Sequence, residues 1–214
     1  MSAGKVAVSL VFLLACTEDP GTQPAAAAAK ETLKPAWHKI ETPVPVGKKL
    51  ECAKIFNAEE ASTAIGRQLE LKDESARNPE ATAVCRFMTV GKAPSEKEQE
   101  RMIAKNQALG LLPGDELCQV TVYCWSIFTV PDLKKKCDEK KEPTTTEIGA
   151  LSCVQEVKAG DKQRYNLTVL DDDTRCKLVI HSGPGVTDLA TTKACAKMAV
   201  DQLTTEDLNQ KAGP

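Results

Sequence analysis

Nine cysteines carry most of the potential chemistry in this sequence: Cys16, Cys52, Cys85, Cys118, Cys124, Cys137, Cys153, Cys176 and Cys195. A thiol can ligate a metal, attack an electrophile or pair into a disulfide, and spacing helps to separate these roles. No Cys-x-x-Cys pair occurs, and the two histidines, His38 and His181, sit at no ligand spacing from a cysteine pair. No metal site is therefore expected, and nothing points to another cofactor. An odd thiol is an anomaly in an oxidising compartment. Setting Cys16 aside leaves an even set, which reads as four disulfides in an extracytoplasmic body.

Other candidate chemistries are thin. Gly-x-Ser-x-Gly is missing, and Ser182 beside His181 would point to the opposite face of a strand, so no catalytic residue is assigned. Asp171-Asp172-Asp173 lacks the glycine and later glutamate of a calcium loop and reads as a hairpin turn. Ser182-Gly-Pro-Gly185 opens a helix, where an anion could bind, but a plain turn is the simpler reading. Tyr123, Trp125 and Phe128 gather three aromatics within six residues and form the candidate contact patch for a partner. The alternative is a second helix layer covering them. Lys134–Lys136, Lys140 and Lys141 are mixed with acids and read as a solvated face.

The first sixteen residues read as an address. Lys5 supplies a positive start, and 6–15 is an apolar run too short to span a bilayer, which takes roughly 20 residues. The run ends Leu13-Leu14-Ala15-Cys16, which resembles the lipobox of bacterial lipoproteins. That resemblance implies removal of signal peptide 1–15, a diacylglyceryl group on Cys16 and often an acylated amine. An ordinary secretory signal cleaved elsewhere is the alternative. At about 0.8 kcal/mol per buried methylene, two or three acyl chains make a permanent anchor. Thr17 in place of aspartate implies, by the same resemblance, the outer membrane where the source has two.

The elements that must position the cysteines follow a tether. Residues 16–36, with Pro20, Pro24, Pro35 and an alanine run, bury too little apolar surface to fold. A coil of ~18 residues reaches about 20–25 Å on average. The body, 37–210, begins with an extended segment lying down through Trp37 and Ile40. Asn57 then caps a helix, with Glu60 as its reciprocal partner and Phe56 stapling to Ala61. Strands are expected over 82–90, 117–130, 148–157, 163–170 and 175–181 from period-two patterning. A Ser95–Glu98 capping box opens a helix running to about 109. A short lysine-rich turn or helix carries Cys137. A closing helix spans 188–203, its apolar face including Leu189, Cys195, Ala199 and Leu203.

Cys118 and Cys137 are nineteen positions apart, as are Cys176 and Cys195, and each interval runs strand, turn, Asp-Leu. Duplication of a strand–turn–helix unit is one explanation, with halves 50–142 and 146–205, and coincidence is the other. Either way the spacing suggests bridges from helix to preceding strand: Cys118–Cys137 and Cys176–Cys195, with Cys52–Cys85, leaving Cys124–Cys153. Eight cysteines allow many other pairings. Residues 52–90, through Cys52-Ala-Lys-Ile-Phe56, Glu59-Glu60-Ala61 and Cys85-Arg-Phe87, resemble small secreted actinobacterial lipoproteins of unknown function. The resemblance implies an α+β fold and supplies no catalytic residue.

The expected fold is α+β: a mainly antiparallel twisted sheet with helices packed on one face, rich in disulfides, with two similar halves as an option. A formal charge of −2 offers no basic face for nucleic acid. The expected function is a non-catalytic, membrane-anchored accessory lipoprotein of a cell-envelope assembly, such as one for secretion, motility, adhesion or outer-membrane maintenance. It would hold the membrane through Cys16 and bind a protein partner. A small-ligand-binding or sensing lipoprotein is the alternative. An envelope hydrolase ranks third, needing an acid–base pair assembled from distant positions.

Overall fold

The structure is a computed structural model that describes residues 44–105, 110–160, 162–206 and 208. The chain divides into two units, Met1–Ala36 and Trp37–Pro214, and every described residue belongs to the second. The signal segment 1–15, Cys16, the tether 16–36, His38 and the contacts expected through Trp37 and Ile40 lie outside the described residues.

Two helical turns come first, α1 (Cys52–Ile55) and α2 (Ala58–Ile65), then β1 (Leu69–Asp73), a 3-10 turn at Ser75–Arg77 and β2 (Ala83–Thr89). Next are α3 (Glu96–Ala104), β3 (Glu116–Tyr123), α4 (Val130–Lys140) and the two-residue β4 (Thr144–Thr145). The chain continues through β5 (Leu151–Ala159), β6 (Lys162–Leu170), β7 (Lys177–Ser182) and α5 (Leu189–Gln202). One antiparallel sheet of seven strands results, in the order β1-β2-β3-β7-β6-β5-β4. The class is α+β, as the patterning implies. Two meanders, β1-β2-β3 and β5-β6-β7, meet at the β3–β7 pair, and each is followed by a helix.

Side chains alternate across a strand, so the register sorts them onto two faces. Cys85, Phe87, Cys118, Val120, Val122, Leu178, Ile180, Leu167 and Val169 share one face. The helices α1, α2 and α5 pack there, with Phe56 edge-on to Phe87 at 5.7 Å between ring centroids. From α5, Cys195, Ala196, Met198 and Ala199 are buried. The other face is different. The helix α4 covers it only at the β5–β6 end, where Leu133 and Cys137 meet Leu151, Cys153 and Leu170.

Local capping chemistry fixes several helix ends. Asn57 Oδ1 accepts from the N–H groups of Glu59 and Glu60, and the Ser95–Glu98 capping box is formed. The Asn57 N–H donates to Gln202 Oε1 of α5 at 2.7 Å, so a tertiary partner stands where Glu60 was expected. The strand expected over 117–130 stops at Tyr123. Its ladder is taken over there, with Cys124 N–H donating to Thr82 Oγ1 and Cys124 C=O accepting from Val44 N–H. Gly183 lets the chain after β7 lie against β3, since a Cβ there would collide with the Glu116 carbonyl.

The sulfurs pair as Cys52–Cys85, Cys118–Cys195, Cys124–Cys176 and Cys137–Cys153. The first matches expectation. The other three replace Cys118–Cys137, Cys176–Cys195 and Cys124–Cys153, and face parity explains why. Cys118 points toward α5, whereas α4 with Cys137 sits across the sheet, where Cys153 points. Continuing the β3–β7 register past Tyr123↔Lys177 sets Cys124 opposite Cys176, with Cα atoms 4.6 Å apart.

Candidate functional site

The aromatic patch lies where β3 ends. Its loop, 124–129, is held by the Cys124–Cys176 bridge, by Val44 N–H donating to Cys124 C=O at 2.9 Å and by Phe128 N–H donating to Arg175 C=O at 3.3 Å. Trp125 and Phe128 meet edge-to-face at 5.4 Å. Lys177 Nζ stands 4.3 Å from the Tyr123 ring centroid and 5.1 Å from that of Phe128, a cation–π contact with both. Burial holds the Lys177 ammonium below its usual range. Lys136 and Lys140 push the same way, and Glu80 opposes them. The Tyr123 hydroxyl accepts from Asn78 Nδ2 at 3.3 Å. Tyr123 and Phe128 are half-buried, while Trp125 and Ile127 stay 36% and 53% exposed. The three expected contact residues thus come together, and the covering layer does not bury Trp125.

A second feature was not visible in the sequence. On the sheet face that α4 leaves largely open, the register aligns Arg86, Gln119, His181, Asn166 and Gln155 straight across β2, β3, β7, β6 and β5. Asn166 Nδ2 donates to Gln155 Oε1 at 3.0 Å, which turns Asn166 Oδ1 toward His181 Nδ1, also at 3.0 Å. The proton of neutral His181 is thereby assigned to Nδ1, leaving Nε2 as an acceptor. Burial lowers the His181 pKa, with the Glu116 charge opposing it. Arg86 ends the row, paired with Glu74 and Glu116. Each residue alone looks like an ordinary polar strand position, and only the strand order brings the five into line. Ser182 points to the other face, where its Oγ accepts from Tyr165 N–H at 3.1 Å, so it does not meet His181.

The remaining candidates resolve structurally. Asp171 is wholly buried at the β6–β7 turn, its Oδ2 accepting from the N–H and hydroxyl of Thr174. Oδ1 has no hydrogen-bond partner among the described residues. Burial pushes the Asp171 carboxyl up to about 6. The Thr174 hydrogen bonds oppose this, and Asp172 and Asp173 add to it. The N-terminus of α5 is capped by Asp188, whose carboxylate accepts from Thr191 N–H at 2.7 Å, so Ser182–Gly185 is a connecting turn. Among the described residues, the one group of three potential metal ligands close enough to share an ion is Cys137, Glu142 and Cys153, and its sulfurs are bonded to each other. Surface depressions include open grooves of about 680 Å³ beside Gly66 and 690 Å³ between Lys141 and Glu156. No family model, curated protein or solved structure matches the chain.

Proposed function

We propose that the protein is a non-catalytic, lipid-anchored interaction module of the cell envelope. It holds the membrane through Cys16 and presents its open sheet face to a protein partner. One observation carries the reading. A face five strands wide is lined by Arg86, Gln119, His181, Asn166 and Gln155 and ends at Tyr123, and among the described helices α4 covers it at its β5–β6 end. Such a face, polar in the middle with an aromatic at its end, is suited to a hydrogen-bonding partner surface. The four bridges brace that face for life outside the reducing cytoplasm.

A photo-crosslinking residue at Gln119, used in intact membranes, tests the partner. A discrete protein adduct that competes away with unlabelled body supports the proposal, and recovery of monomer alone refutes it. Intact mass before and after reduction tests the anchor, with acyl mass on Cys16 and two hydrogens gained per bridge expected. The hydrogen-bonded Gln155–Asn166–His181 chain favours a second reading, a small-ligand-binding lipoprotein. That reading requires saturable NMR shifts at His181 and Asn166 with a small polar compound.

A further inference from the structure

Along the outer side of β5 the sheet stops short. The β5–β6 ladder runs out to Ala159↔Lys162, whereas β4 pairs only with Ser152 and Cys153, and β7 meets β6 only from Asn166 onward. The hairpin arm 155–165 therefore extends past the strands on either side of it. Pro143 ends the β4 pairing: its C=O accepts from Val154 N–H at 3.0 Å, but having no N–H it returns nothing to Val154 C=O. Backbone groups alternate in direction along a strand, so Glu156 and Lys158 turn N–H and C=O to the same side as Val154 N–H, toward the edge. Among the described residues no strand pairs with them there, and both side chains are exposed. The open groove of about 690 Å³, lined in part by Pro143, Val154 and Glu156, lies where a further strand would run.

We propose that this edge pairs with the same edge of a second copy of the chain, β5 antiparallel to β5 about a two-fold axis through Val157. In that register the edge is complementary to itself. Glu156 stands opposite Lys158 of the second copy and Lys158 opposite its Glu156, and each pair joins opposite charges and exchanges both backbone bonds. The half-buried Val157 side chains meet on the axis, at the close spacing of a non-hydrogen-bonded pair. Edge strands are ordinarily guarded by charge, and a guard of one sign would repel a second copy. Here opposite signs two residues apart attract it. Moving the axis to Glu156 or to Lys158 sets like charges face to face, so charge also selects the register. A two-fold axis normal to the sheet leaves both Arg86–Gln155 rows on one side, so the dimer offers that face twice. A single strand pair is a small interface, of the weak and transient class.

The test is sedimentation equilibrium of the oxidised full chain over a concentration series up to about 1 mM, read beside amide exchange. A concentration-dependent dimer is expected, in which the Glu156 and Lys158 N–H groups gain protection. Glu156→Lys and Lys158→Glu each set like charges opposite one another and weaken self-association about tenfold, while an equimolar mixture of the two variants associates as strongly as wild type. That recovery also shows both variants to be folded. A photo-crosslinker at Val157 links to the 155–159 segment of the second copy. Monomer throughout the series overturns the proposal, as do variants that associate like wild type or a mixture that does not recover. So does protection of both amides that is independent of concentration, the result expected if residues 17–43 of the same chain cover the edge. A Val157 crosslink to a different protein in intact membranes overturns it as well. None of these outcomes bears on capture at Gln119, so the partner-binding reading stands or falls separately.

Discussion

Asp171 is the place where a single atom change gives the sharpest forecast. Its carboxyl is wholly buried, one oxygen is bonded twice to Thr174, and the other faces no donor among the described residues. Burial raises its pKa to about 6 from the ordinary 3.8. A carboxyl whose folded pKa is raised favours folding most when protonated. Its contribution is complete below pH 3.8 and is lost as pH rises through about 6. A shift of about two pH units corresponds to ~3 kcal/mol lost between acid and neutral pH. Asp171→Asn keeps an acceptor for Thr174 and removes the charge. The measurement is urea unfolding of oxidised wild type and variant at a series of pH values from 4 to 8. Taking the difference cancels every other titrating group. The variant should gain about 2.5 kcal/mol on wild type across that range, most of it between pH 4 and 6, with a plateau above. A difference that stays flat with pH would show that the Asp171 carboxylate is solvated or neutralised in the folded state, and the reasoning would fail.

Other outcomes follow from the same geometry. Replacing Cys137 and Cys153 with serine frees α4 and opens a 16-residue loop, which should cost about 3 kcal/mol in equilibrium unfolding and raise amide exchange in α4 above that in α5. Gly183→Ala drives a Cβ into the Glu116 carbonyl, so it should destabilise by at least ~2 kcal/mol in the same assay; full stability would mean that the chain after β7 lies less close to β3 than described. His181 should titrate below the usual histidine range in a nitrogen-detected NMR titration, with stability falling as pH drops through its pKa. Asn166→Ala, which removes the acceptor at Nδ1, should lower that pKa further, since the lost bond favours the imidazolium; an unchanged or raised value would contradict the assigned tautomer.

What the sequence disclosed was local. Asn57, the Ser95–Glu98 box and the alternation of 82–90 and 163–170 act within a few residues, and the structure forms the corresponding helix starts and strands. Leu69–Asp73 was missed as a strand because it is a short edge that buries one leucine, leaving a weak periodic signal. The apolar run through Trp125 and Ile127 looked like more strand, yet tertiary partners for Cys124 end the ladder at Tyr123. Two of the bridges, Cys118–Cys195 and Cys137–Cys153, depended on which face each helix takes. Nineteen-residue spacing cannot report that, because α4 and α5 follow similar strands and then part to opposite sides. The Arg86–Gln155 row was hidden for a related reason: its members are scattered from β2 to β7, and only pairing makes them neighbours.

The Cys118–Cys195 link, spanning 77 positions, sets a timetable for the growing chain. Cys195, the correct mate of Cys118, is the last cysteine to be synthesised, while Cys124 and Cys137 follow Cys118 within a few residues to two dozen. Only Cys52–Cys85 and Cys137–Cys153 can close early in their final form. Any hasty oxidation at the central strand must be undone by thiolate attack before the last helix can be fastened. Recovery of correctly assembled molecules should therefore depend on shuffling capacity, and a strongly oxidising refolding buffer with no thiol present should trap the chain in mispaired isomers.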